Sequence, residues 1–143
     1  MFRSDITLDH LKAMSHDTMV DHLGIEYLEL GPDYIRASMP VDHRTVQPMR
    51  MLHGGASVAL AETLGSFAAN IVVNTEKYYC VGLEINANHI KSVSEGLVYG
   101  ITKPIHIGKK TQVWETRITN EADELVCISR ITMAVLNRGK TGK

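Results

Sequence analysis

Between Gly54 and Val73 the sequence reads GGASVALAETLGSFAANIVV, a run of small and apolar residues that carries one charge, Glu62. It opens on paired glycines and holds no proline, so it reads as one helix of about the length of a membrane span. The run is poor in Leu and Ile, and its central carboxylate would cost roughly 3 kcal/mol in lipid. A helix buried in protein is therefore expected. Being apolar nearly all round, it needs cover on more than one side.

The flanking sequence supplies that cover. Strand patterns occur in IEYLEL from Ile25 and YIRASMPV from Tyr34, joined by the tight-turn composition Gly31-Pro32-Asp33. After the polar loop DHRTVQPMRML and the helix come YYCVGLEINANHI, LVYGITKPIHIG, TQVWETRIT and LVCISRITMAVL, with Ser94-Glu95-Gly96 and Asn120 to Glu124 as turns. Thr7, and Ser15 or Asp17, are placed to cap two short amphipathic helices, Leu8 to Met14 and Thr18 to Leu23, expected to form a lid or cover. The pattern predicts an α+β fold, an antiparallel sheet of about six strands wrapped around one long central helix. A single domain is expected over residues 1–137, followed by a disordered tail at 138–143.

Composition narrows the function classes. Fifteen Lys and Arg against sixteen Asp and Glu give a formal charge of -1, so neither nucleic acid nor a membrane is expected as a partner. MFRSDITLDH lacks the apolar core of a secretion signal, which predicts a cytoplasmic protein. Cys80 and Cys127 sit in strand-like segments and read as buried reduced thiols. His10, His16, His22 and His43 offer no metal-ligand spacing, and no metal is expected. Trp114, Tyr78 and Tyr79 read as core or interface.

Glu62 then needs a reason. A buried, unpaired carboxylate costs several kcal/mol, and such groups cluster at functional sites. Three readings stay open on helix composition alone: an exposed helical glutamate, a structural ion pair, or a catalytic group. At about 100° per residue, Gly55, Ala59 and Ser66 fall near the azimuth of Glu62 and make a narrow stripe along the helix. At the helix start, Gly54 and Gly55 offer backbone N–H groups where the dipole favours an oxyanion.

The segment QPMRMLHGGASVALAETLGS, with Gln47, His53-Gly54-Gly55, Glu62 and Ser66, resembles the active-site segment of hotdog-fold acyl-CoA thioesterases of the 4-hydroxybenzoyl-CoA and phenylacetate-pathway type. From TLDHLKAMSHDTMVDHLGI through the VSEG turn to ITMAVLN, the chain is similar to members of that family that act in menaquinone biosynthesis and in proofreading of enterobactin synthesis. The resemblance implies Glu62 as nucleophile or general base, the Gly54 amide as oxyanion donor, and Gln47, His53 and Ser66 as orienting groups. It implies contacts to substrate or coenzyme A from Gly55, Gly82, His89, Ile90, Lys91, Ser92, His106, Gly108, Lys109 and Lys110.

The implied substrate is an aromatic acyl-CoA, with 1,4-dihydroxy-2-naphthoyl-CoA leading. An acyl carrier protein thioester and a non-catalytic acyl-CoA-binding role are the alternatives. No cofactor is implied beyond the coenzyme A of the substrate. Where close relatives often read HHRP, this chain has His89-Ile90-Lys91-Ser92, and Met49-Arg50 replaces the common Phe-Gly; a forked guanidinium is thereby exchanged for a point charge.

Gly54 and Glu62 stand eight residues apart, 62 minus 54, which is about 12 Å along a helix. Both have to approach one carbonyl carbon to about 3 to 3.5 Å. Two antiparallel copies across a two-fold axis satisfy this where one helix does not. The family implies such dimers, often paired again into tetramers.

Overall fold

The computed structural model describes residues 1–139. Its elements run α1 (Leu8–Ser15), α2 (Met19–His22), β1 (Glu26–Leu30), β2 (Ile35–Pro40), α3 (Gly54–Val72), β3 (Tyr78–His89), β4 (Leu97–Ile107), β5 (Thr111–Thr119) and β6 (Leu125–Asn137). The six strands form one antiparallel sheet in the order β1-β2-β4-β5-β6-β3. This is the expected hotdog arrangement, with α3 lying across β2 to β6.

One side of α3 builds the core. Leu60, Leu64 and Ala68 are fully buried together with Val98, Trp114, Ile118, Ile131 and Met133 of the sheet. The approach is close at Gly65, where an added Cβ would stand 2.5 Å from Ile131 Cγ2. Trp114 donates its indole N–H to Gln112 Oε1 at 2.9 Å, which satisfies its one polar atom inside the core. Cys80 and Cys127 are buried free thiols, and burial raises both above the usual thiol range.

The sheet wraps α3 as expected, but within one chain its cover is incomplete. Val58, Ala59, Glu62, Thr63, Ser66, Phe67 and Asn70 are only half-buried. A single twisted sheet wraps one face of a helix and leaves the opposite stripe open. Phe67 packs edge-on against Tyr27 of β1, whereas Glu62 and Asn70 lie beside β3, which ends the sheet and pairs only with β6. β3 is twelve residues long and exposes Val81 and Leu83 at 39% and 62%. A β-bulge interrupts its register between Gly82 and Glu84.

The N-terminal helices cover the other end of the sheet. Thr7 and His10 form a capping box, with the Thr7 N–H donating to His10 Nδ1 at 3.1 Å. α2 is preceded by Thr18, and its cap comes from neither Ser15 nor Asp17 as the sequence suggested. Ser15 is drawn inward instead, donating to the Leu11 carbonyl at 2.9 Å and meeting Tyr27 Oη at 3.1 Å. Burial pushes the Tyr27 hydroxyl up to about 12. Asp17 takes a left-handed turn with φ 57°.

At the C-terminus two residues of the expected tail, Arg138 and Gly139, are described. Arg138 donates its N–H to the Lys77 carbonyl at 2.8 Å, and its guanidinium lies over the Tyr79 ring. Residues 140–143 of that expected tail lie outside the described residues.

Candidate active site

The loop between β2 and α3 is tied down before the helix begins. Thr45 donates its hydroxyl to the Pro40 carbonyl at 2.7 Å, the His53 N–H donates to Thr45 O at 2.8 Å, and Leu52 N–H to Val93 O at 2.7 Å. Within it Arg50 adopts φ 66°, a left-handed conformation that costs a non-glycine residue about 1–2 kcal/mol. This is where the resemblance places a glycine. The arginine is exposed, and the carbonyl of Gln47 accepts its N–H at 2.8 Å.

His53 is the N-cap of α3, and its Nδ1 accepts from the Gly55 N–H at 2.8 Å. The Gly55 amide is therefore taken, contrary to the expectation that both glycines present free N–H groups. The Gly54 amide donates to no protein acceptor among the described residues. His89 closes on the same glycine: a Cβ at Gly54 would stand 2.8 Å from His89 Nε2. Only a glycine lets the imidazole come this close to the helix start.

A cavity of about 310 Å³ opens there, lined by Gln47, Met51, Leu52, Gly54, Ser57, His89, Ile90, Lys91, Ser92 and Val126. Six of the residues implied by resemblance thus share one space. Ile90 and Lys91 are positioned by donating their amides to the Val126 carbonyl at 2.8 and 3.2 Å. Lys91 is already partnered, however: Nζ donates to Glu124 Oε1 at 2.8 Å, and this pairing lowers the Glu124 carboxyl below its ordinary range. Asn120 holds the other oxygen of Glu124, donating to Oε2 at 2.7 Å.

Two turns further along α3 lies a second cluster. Glu62 Oε1 accepts from the Ser66 hydroxyl at 3.5 Å and packs on Gly82, where a Cβ would be 2.8 Å away. Gly82 thus makes room for the carboxylate beside the β3 bulge, and bulges commonly re-aim groups next to active sites. None of the ion pairs among the described residues involves Glu62, so within one chain no structural ion pair holds the carboxylate. Nor is the carboxylate fully buried as supposed; it sits half-buried on the open stripe.

Asn70 completes that stripe at the next i+4 position. Its Oδ1 accepts from the Cys80 N–H at 2.8 Å, and its Nδ2 donates to Cys80 O at 3.1 Å and Ser66 O at 2.9 Å. It locks α3 to the start of β3 and was overlooked in sequence, although the Glu62, Ser66, Asn70 spacing signals it. Ser57, Val126 and Glu124 were overlooked as well.

The remaining implied contacts do not join either cluster in one chain. His106, Gly108, Lys109 and Lys110 lie at the β4–β5 hairpin, whose Thr111 faces Ala134, whereas His89 faces Cys127. Those two β6 positions are seven residues apart, 134 minus 127, or about 23 Å along the strand. The hairpin folds on itself, with Gly108 N–H donating to Thr111 O at 2.9 Å and His106 packed on Gly108.

Comparison with known proteins gives this geometry its family. Residues 49–127 match the Thioesterase superfamily. The 1,4-dihydroxy-2-naphthoyl-CoA hydrolase of Escherichia coli is 48% identical over 95% of this chain and 99% of its own length. The proofreading thioesterase EntH of Cronobacter turicensis is also 48% identical, over 95% of this chain and 98% of its own. The Pseudomonas aeruginosa thioesterase PA1618, crystallised as a glutamine-to-alanine variant, superposes with a TM-score of 0.93 at 44% identity, covering 95% of this chain and 98% of that one. A helix start with a free amide, a carboxylate two turns away and a hotdog sheet around them agree with these matches: the chain belongs to the thioesterase superfamily and is an enzyme that hydrolyses thioesters.

Proposed function

We propose that this enzyme hydrolyses an aromatic acyl-CoA, with 1,4-dihydroxy-2-naphthoyl-CoA as the leading substrate, to the free acid and coenzyme A, a step of menaquinone biosynthesis. The observation that carries the reading is the unpartnered Gly54 amide at the start of α3, opening on the cavity beside Gln47 and His89. Oriented N–H groups at a helix start stabilise the charge that develops on the thioester oxygen. Glu62 either attacks the carbonyl carbon or takes a proton from the water that does. The C–S bond breaks in either case, and the thiolate, from a thiol of pKa about 8.5, leaves without a strong general acid.

Because Gly54 and Glu62 are about 12 Å apart on one helix, the reading includes a homodimer, paired again into a tetramer. Two copies would meet along β3, whose free edge and open α3 stripe lie side by side. Each site would take Gly54, Gln47 and His53 from one chain and Glu62 and Ser66 from the other. Lys109 and Lys110 would reach the phosphates of coenzyme A from the partner's side, which answers their separation from His89 within a chain.

A second reading, removal of misloaded acyl groups from a carrier protein, is favoured by the equal identity to the EntH enzyme. A thiol-release assay across aryl-CoA, aliphatic acyl-CoA and acyl-carrier-protein thioesters separates the two. The expected kcat/KM for aryl-CoA exceeds that for short aliphatic acyl-CoA at least about tenfold, on the order of 1.4 kcal/mol of transition-state discrimination. Parity, or preference for the carrier protein, removes the leading substrate. Binding without turnover across the panel would point to a regulator.

The Lys91–Glu124 pair leads to a further expectation. Lys91 has to leave Glu124 to meet a phosphate, so Lys91→Ala raises KM for CoA substrates several-fold, whereas Glu124→Gln lowers it. Both changes shrink on substrates that lack the 3′-phosphate. Equal effects with and without that phosphate would return Lys91 to a purely structural pairing.

A further inference from the structure

The residues implied by the family leave one polar group in the cavity unused. Ser57 lies on the wall of the 310 Å³ cavity and is 2% exposed. Its N–H belongs to the first turn of α3, donating to His53 O at 3.3 Å. Its hydroxyl has no hydrogen-bond partner among the described residues, a state it shares with the buried Ser38 and Thr116; unlike them, Ser57 lines this cavity. No fully enclosed side-chain N or O among the described residues lacks a partner, so the Ser57 hydroxyl keeps a small accessible surface, and the cavity is the space that Ser57 lines. Once a ligand displaces water from the cavity, the hydroxyl needs a partner on that ligand, and an occupant without one leaves it unpaired.

Position identifies the group. Ser57 is three residues from Gly54, about 4.5 Å further along the axis. With the thioester oxygen on the Gly54 amide, an aryl group entering the cavity carries its ortho substituent close to the carbonyl oxygen. Met51, Leu52, Ile90 and Val126 offer the apolar wall a ring requires. We infer that Ser57 is a specificity-determining residue that hydrogen-bonds a hydroxyl carried on the acyl group ortho to the thioester carbonyl. The inference rests on the thioesterase reading of this cavity and narrows its substrates to 2-hydroxyaryl thioesters.

The test compares 2-hydroxybenzoyl-CoA with benzoyl-CoA on the wild-type enzyme and on Ser57→Ala. The quantity read is the ratio of the two kcat/KM values, which is insensitive to general damage. The wild-type ratio is expected to be at least tenfold, because a site built to bond a hydroxyl rejects the analogue without it. In Ser57→Ala it falls to within about twofold of unity. A ratio unchanged by the substitution overturns the assignment, even where both rates drop together.

Binding of 2-hydroxyphenacyl-CoA and phenacyl-CoA, whose methylene between sulfur and carbonyl prevents hydrolysis, separates this inference from the parent reading. A Ser57-dependent preference among these ketones without turnover of either thioester would overturn the aryl-CoA hydrolase reading and keep the Ser57 assignment. Turnover with no Ser57-dependent preference in either readout would do the reverse.

Discussion

Glu62→Gln lowers kcat by at least about 100-fold while substrate affinity changes little. Glutamine keeps the size of the side chain and its acceptor for the Ser66 hydroxyl, and it fits the space that Gly82 leaves. What disappears is the negative charge, and with it the ability to attack carbon or to take a proton from water. General-base catalysis alone contributes typically 10²–10⁴-fold. Because Glu62 is half-buried and forms no ion pair among the described residues, the substitution strands no partner charge and the fold is retained. Saturation kinetics by thiol release, with binding of an unhydrolysable analogue as control, reads both quantities. Turnover within tenfold of wild type would remove Glu62 from the reaction.

The second large effect is recovery of activity from two inactive proteins. Glu62→Ala loses the carboxylate; a variant with Gln47 and His53 both replaced by Ala damages the helix-start half. In a hybrid dimer with shared sites, one site collects every lesion and the other collects none. Random exchange at 1:1 makes about half of the dimers hybrid, so activity returns to roughly a quarter of wild type. If each chain held a complete site, every site would keep a lesion and mixing would restore nothing. Subunit exchange has to be verified independently, for example with two distinguishable tags, before a null result counts against the shared site.

Much of this architecture was legible in the sequence because local pattern decides it. TQVWETRIT forms β5 at its predicted limits, and β6 extends one residue beyond LVCISRITMAVL. The period-2 alternation in these segments follows directly from one face packing on α3. The helix was legible too, but its exposure was not. How much of α3 remains open depends on how far a six-stranded sheet curls, and no periodicity in the helix itself encodes that.

At the site, residues close in sequence were easier to place than those far apart. His53, Gly54 and Glu62 share one helix, so their geometry follows from 1.5 Å per residue. The Lys91–Glu124 pair joins positions 33 apart, and the gap between His89 and the 106–110 hairpin is set by strand register. Neither can be counted off the chain. His53 capping Gly55 is local, yet it required choosing which of two adjacent amides the imidazole would take. Ser57 stayed hidden because a serine in a run of small residues looks like packing until a cavity is found against it.

The unpaired edge of β3 bears on how the rate itself would scale. If Val81 and Leu83 are covered only when a second chain docks, the catalytic unit is made by an encounter, and at low abundance turnover grows with the square of chain concentration instead of linearly. A cell that halves its supply of such a chain would then lose up to three quarters of the flux. Damage along this edge, remote from any reacting atom, would act like lowered expression.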